Sequence, residues 1–198
     1  MSHMQLINHI RSCLAALEAR DMTGGYTREA AVLMPIFKIK GAYHLLLTLR
    51  TQEVETHKGQ ISFPGGMRER DEALLKTALR ETFEEVGIEE DKIEPLGKFH
   101  DYISVTGYRV TPFAGFIAEP FETFPQVREV AEVLQVPFKI FLDPNLLRIE
   151  KRAWQNREDV YFYTFGTYQI WGLTARIIKD FFDMLRLTPG DAAPGEKP

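Results

Sequence analysis

The stretch GGMRERDEALLKTALRETFEEVGI, residues 65–88, constrains the fold most. Its apolar residues recur at helical spacing, which predicts a helix. Asp71 is the expected N-cap, and Gly87 stands where a left-handed residue would end the helix. At 100° per residue, Leu75, Leu79, Thr82, Phe83 and Val86 share one broad face, the expected buried stripe. On the same wheel Glu81 and Glu85 lie about 40° apart and Glu84 about 60° further round, an arc of roughly 100° beside that stripe. Like charges at these spacings cost a helix a few tenths of a kcal/mol per pair. No lysine follows at i+4 to relieve them, since Ile88 and Glu89 occupy those positions. Hard divalent cations such as Mg²⁺ or Mn²⁺ take oxygen ligands and would remove the repulsion. Pro64-Gly65-Gly66 is read as a turn whose carbonyls can face the carboxylates.

Around this stretch the chain alternates without a clear linker. Leu6, Ile10, Cys13, Leu14 and Leu17 are spaced for a first helix. Two apolar runs flank KIKGAY and predict a pair of strands, with His44 in a structural role. Strand-like runs lie in residues 92–105, 109–120 and 127–138, and one or two more in 159–172. Residues 139–148 suit a short helix. Ile177, Phe181, Met184 and Leu185 form the stripe of a last, amphipathic helix. The pattern is an α/β mixture without the regular βαβ repeat of a doubly wound sheet. Residues 5–187 are expected to form one domain. MSHM, residues 1–4, looks like a cloning remnant, and residues 188–198, rich in Pro and Gly, form an expected mobile tail.

Composition excludes several classes. The 198 residues carry 44% apolar side chains, enough for an ordinary core. A net charge of −4 argues against a nucleic-acid surface, which is usually basic. A single cysteine, Cys13, rules out an internal disulfide and a cysteine-based zinc site. No apolar run reaches the roughly 18–20 residues of a membrane span, and no secretory signal is visible, so the cytosol is the expected compartment. A small-molecule partner is expected, with neither nucleic acid nor membrane, and a homodimer is allowed.

The residues also carry a resemblance. Gly66, five residues, Glu72, seven residues, Arg80-Glu81, Thr82, one residue, Glu84-Glu85, one residue, Gly87-Ile88 resembles the Nudix box. Thr82 stands where that box usually has an aliphatic residue. The resemblance implies an α/β/α sandwich around a mixed sheet, with the box as loop–helix–loop. It implies hydrolysis of a nucleoside diphosphate linked to another moiety. Glu81, Glu84 and Glu85 would then bind Mg²⁺ or Mn²⁺ with help from the Gly66 carbonyl, while Arg80 and Glu72 would orient them. Metal-held pyrophosphate attacked in line by water fits this donor set.

Upstream, LLTLRTQEVETHKGQISFPGG is similar to the signature of the coenzyme A pyrophosphatase branch. Leu46, Leu47, Thr48, Arg50, Gly59, Phe63, Pro64, Gly65 and Gly66 match in register. Thr51 replaces Ser, and Glu55 replaces a second Arg, a charge reversal for which His57 and Lys58 could compensate. The resemblance implies Arg50, Lys58, Gly59, Gln60, Gly65, Tyr108 and Arg109 as substrate contacts, the last two from a loop before a strand. Phe63 and Pro64 read mainly as shaping the glycine turn. Such enzymes commonly recruit a further acid or base from outside the box, and Glu129 is favoured over Glu132. Trp171 reads as a core residue. Alternatives are a pyrophosphatase acting on ADP-ribose, NADH or a nucleotide sugar, and a binding module without turnover.

Overall fold

Lys40 and Gly41 both take positive φ, 46° and 90°, the geometry that lets a two-residue turn join antiparallel strands. They link β1 (Arg28–Ile39) to β2 (Ala42–Arg50). The computed structural model describes residues 3–52, 59–118, 120–154 and 157–192. Glu55, His57 and Lys58 therefore lie outside the described residues, as does the tail beyond residue 192. The described part of the tail makes a 3₁₀ turn over Pro189–Ala192, with Thr188 donating to Asp191.

The hairpin splays, and the splay makes the site. Near the turn, Ile36–Ile39 pair with Ala42–Leu45. Further out β1 leaves β2 and pairs Ala30–Val32 with β4 (Gly65–Met67), while β2 pairs Thr48 and Leu49 with β3 (Ile61–Ser62). The other edge of β1 carries β7 (Tyr108–Ile117) in parallel over ten residues, and β7 in turn holds β5 (Ile93–Lys98) and β6 (Tyr102–Ile103). β8 (Val130–Pro137) closes the far side of β2. The sheet is mixed, as expected.

Alternation along the strands sends side chains to two layers. Ala31, Leu33, Phe37 and Leu46 pack under α2 (Leu74–Val86) with Ala78, Leu79 and Val86. Met34, Ile36, Leu45 and Leu47 face the opposite layer of α1 (His3–Ala15), α3 (Phe138–Leu142) and α4 (Gly172–Leu185). A second, antiparallel sheet of β9 (Leu147–Trp154), β10 (Arg157–Phe165) and β11 (Tyr168–Trp171) joins that layer. The α/β/α sandwich stands, with this extra sheet added; β9 was not anticipated. In α4, Ile177, Phe181 and Leu185 are buried as its stripe predicts, and Met184 is partly so. Among the described residues no helix is long and apolar enough to cross a membrane.

Four local expectations are corrected. Asp71 is not the N-cap: it takes φ 63°, a left-handed conformation that Asp tolerates, and the cap is Ala73 without a side-chain bond. Phe83 is not buried, because the helix rolls toward the sheet on its Thr82–Glu85–Val86 side. Gly65 and Gly66 form a strand edge rather than a turn, clamped to β1 where Leu33 N–H donates to the Pro64 carbonyl at 2.9 Å. Trp171 is 43% exposed at the end of β11, stacked on Phe162 rather than sunk in the core. Gly87 does end α2 in the left-handed region, donating to the Phe83 carbonyl. His44 is structural as expected, accepting a place against Phe37 with Nδ1 on the Ala42 carbonyl.

Candidate active site

The helix brings Glu81 and Glu85 to β4 for a steric reason. A Cβ at Gly66 would sit inside the Glu81 carboxylate, and one at Gly65 would collide with the Ala31 carbonyl. Two glycines are thus needed for the strand edge to lie between β1 and the carboxylate. Thr82, buried at the contact, spends its hydroxyl on the Ala78 carbonyl at 2.7 Å, so it packs where an aliphatic residue could.

Glu85 is more enclosed than the helical wheel suggests, 3% exposed. Its Oε1 accepts from the Arg50 guanidinium at 3.3 Å, and Oε2 has no hydrogen-bond partner among the described residues. Burial pushes this carboxyl up to about 8; Arg50 and, more weakly, the Gly65 amide oppose the shift, and the charges of Glu81 and Glu129 reinforce it. Burial also raises Glu81, against the pull of its bond from Arg80. Glu129 therefore acts electrostatically on both carboxylates from the turn that precedes β8. Glu132 faces away and accepts from the Tyr168 hydroxyl at 2.6 Å.

Arg80 organises the other side. Its Nε and one terminal nitrogen hold both oxygens of Glu72 at 3.0 and 3.1 Å, a two-toothed ion pair. Its remaining nitrogen bridges Glu81 at 2.9 Å and Glu84 at 3.1 Å. This fork holds the Glu72 carboxyl down at about 2, with help from the Thr77 hydroxyl and the Glu69 amide. Arg68 adds a bond to the Glu72 carbonyl and an ion pair to Glu29.

The remaining candidates divide. Arg50 and Gln60 are joined through their backbones at 3.0 Å, and Gly59 turns beside them with φ 65°. Tyr108 and Arg109 begin β7 rather than preceding it. The Arg109 guanidinium is taken up by Glu29, the Met22 carbonyl and the Tyr26 ring, so it braces the sheet beside Arg68. This Arg109–Glu29–Arg68 chain was missed from sequence; its partners are 80 and 39 residues apart, and no local pattern links them.

Among the described residues no three His, Cys, Asp or Glu side chains are gathered closely enough to hold an ion as they stand. The reason is visible: Arg80 draws Glu84 and Glu81 outward while Arg50 holds Glu85. The donor chemistry nevertheless fits a hard divalent cation. The unpartnered Glu85 Oε2, the crowding of Glu81, Glu85 and Glu129, and the glycine edge beneath Glu81 all describe a place short of positive charge.

Comparison with known proteins agrees with this geometry. A model of the NUDIX domain matches residues 27–164. The chain is 40% identical over 155 residues to a protein of Photorhabdus laumondii described as an uncharacterized Nudix hydrolase, NudL, covering 76% of this chain and 81% of that one. A Pectobacterium atrosepticum protein of the same description is 38% identical over 153 residues, covering 76% and 79%. Among solved structures, the MutT protein of Methanosarcina mazei superposes with a TM-score of 0.53 at 18% identity, over 84% of this chain and 96% of that one. A MutT/nudix family protein of Enterococcus faecalis gives 0.52 at 16%, over 94% and 75%. At such identities the structures attest the fold.

Proposed function

The chain belongs to the Nudix family of hydrolases, and on that premise we propose that it cleaves the diphosphate of coenzyme A or an acyl derivative. The products would be adenosine 3′,5′-bisphosphate and a phosphopantetheine. The observation that carries this reading is the meeting of Arg50 with Glu85 beside Gly65 and Gly66. The two ends of the upstream signature thereby reach the carboxylates of the box.

A bound Mg²⁺ or Mn²⁺ would supply charge neutralisation of the diphosphate and an activated water. Glu81, Glu84, Glu85 and the Gly66 carbonyl are the residues that would hold it. Arg80 sets two of those carboxylates and is itself fixed by Glu72. Glu129, free of the helix and close enough to act on Glu81 and Glu85, accepts the proton of the attacking water. Arg50, beside Glu85, would offer its guanidinium to the phosphate oxygens. Gly59 and Gln60 flank the approach, with Gly65 keeping backbone bulk out of it, and Lys58, which lies outside the described residues, is proposed as a further substrate contact from the sequence alone.

Incubation with Mg²⁺ or Mn²⁺ and coenzyme A, with products separated by chromatography, tests the reading. Release of the bisphosphate supports it. No turnover of coenzyme A with brisk turnover of ADP-ribose would overturn the substrate and leave the family intact. The charge reversal at Glu55 favours that second reading, because an acidic residue there would repel a 3′-phosphate. Comparing coenzyme A with its dephospho form separates the two.

A further inference from the structure

We infer that Thr51 is a positioning residue that aims Glu129 at the carboxylate cluster, an inference that rests on the reading of Glu129 as the base. Thr51 follows Arg50 at the end of β2 and is buried. Its hydroxyl donates to the Arg128 carbonyl at 2.7 Å, and its amide donates to the Glu129 carbonyl at 2.9 Å. Both peptide groups flanking the Glu129 Cα are thus fixed by one residue. The same β2 end carries Arg50, whose guanidinium meets Glu85. One dipeptide therefore sets the distance between a buried carboxylate and the turn that bears the base.

The local sheet geometry explains why such a tie is needed. The β2–β8 ladder slips between Leu49 and Arg50: Leu49 pairs with Glu132, yet Arg50 pairs with Val130. Such a bulge bends the strand and re-aims the residues beside it. Regular pairing therefore stops short of Glu129, and the Thr51 hydroxyl supplies the bond that the ladder does not. The opposite side of the turn is strapped to α2. Phe124 N–H donates to the Val86 carbonyl at 2.8 Å and Gln126 N–H to the Glu85 carbonyl at 2.9 Å. Gln126 in turn accepts from the amides of Glu129 and Val130, both at 2.8 Å. The base-bearing turn is clamped between the helix that carries Glu81 and Glu85 and the strand end that carries Arg50. The β2 half of the clamp is one backbone bond, from the Thr51 amide, and one side-chain bond, from the Thr51 hydroxyl, and only the second can be removed by substitution. Serine would make the same bond; valine, of the same shape, would not.

The test is a double-mutant cycle in full-length enzyme with Mg²⁺, using coenzyme A or, where that is not turned over, ADP-ribose. Thr51→Val is expected to lower kcat on the order of tenfold with KM nearly unchanged, because misplacing a catalytic group acts on the chemical step. Thr51→Ser should restore kcat. In a Glu129→Gln background, Thr51→Val should cost nothing further, since its effect passes through Glu129. If the valine variant does not fold, Thr51→Ala, which removes the same bond, takes its place in the cycle. Equal losses from Thr51→Val in both backgrounds would overturn the inference and leave the base assignment standing. An unaffected Glu129→Gln enzyme would overturn the base assignment and, with it, the role of Thr51.

Discussion

On the face of the central sheet covered by α1 and α4, rings meet edge to face: Phe99 on Phe181, Phe138 on Phe182, Phe141 on Tyr163. All six are buried. On the α2 face one ring pair, Phe37 on Phe121, lies beside small contacts such as Ala31 and Ala78, and the helix buries Thr77, Thr82 and Glu85 along with its apolar residues. Each face also keeps a buried oxygen without a hydrogen-bond partner among the described residues, the Tyr163 hydroxyl on one and Glu85 Oε2 on the other. Burial raises the pKa of both groups and so disfavours their ionisation. For the tyrosine this keeps a neutral group neutral; for the glutamate it makes the ordinary charged state costly. One layer therefore supplies cohesion, and the other accepts an electrostatic cost that only a cation or a proton relieves.

Two substitutions should break the molecule in opposite ways. Phe181→Ala on the cohesive face should cost about 3–5 kcal/mol of stability, read as a fall in the denaturant midpoint, while the folded fraction keeps its kcat. Glu85→Gln should lower turnover on the order of 10²–10³-fold. Its stability should stay within about 1 kcal/mol of the parent, since the amide oxygen can still accept from Arg50 and a costly charge is gone. If Glu85→Gln unfolded the protein, the division of labour between the faces would be wrong.

Gly66→Ala sharpens the contrast on the α2 face. The added methyl must push the Glu81 carboxylate aside, because the neighbouring backbone of β4 is pinned to Ala31 and cannot retreat. Activity should fall roughly 100-fold, the scale of an ångström's misplacement. Melting should change little by comparison. Cation binding should show the reverse signature: at about 100 times its dissociation constant, Mn²⁺ or Mg²⁺ should stabilise the parent by about 2.7 kcal/mol. The Glu85→Gln protein should gain clearly less, and thermal melts with and without the ion measure both.

How much of this could be read in the chain depends on the distance over which the cause acts. The helix, its C-terminal Gly87 and the α4 stripe follow from neighbours a turn apart, and they stand as expected. Phe83 was misplaced because a helical wheel gives relative angles and not the roll of the helix; the roll is set by what Ala31 and Leu33 present beneath it. Gly65 and Gly66 read as a turn because glycine pairs usually are one, whereas here the approach of the Ala31 carbonyl and the Glu81 carboxylate demands them. That three glutamates share one arc of α2 was legible, but their present partners were not. Arg50 reaches Glu85 across 35 residues, and only the splay of β1 from β2 makes that possible.

The smallest expected effect lies at the edge of the α2 face, in the pair of Glu72 with Arg80. Arg80 first, then Thr77 and the Glu69 amide, lower the Glu72 carboxyl from 4.5 to about 2. The folded protein thus binds fewer protons at this group than the unfolded chain between those values. The pair contributes its full stability above about pH 4.5 and loses it progressively as the pH falls toward 2. Glu72 is 17% exposed, so solvent screening trims the contribution to about 1–2 kcal/mol. Urea midpoints of the parent and of Glu72→Gln, taken from pH 7 down to pH 2.5, should differ by that amount at neutral pH and converge in acid. A gap that stayed constant across the range would mean that the loss comes from the shape of the side chain and not its charge. The Arg80 fork would then belong with the packing of the opposite face rather than with the electrostatics of this one.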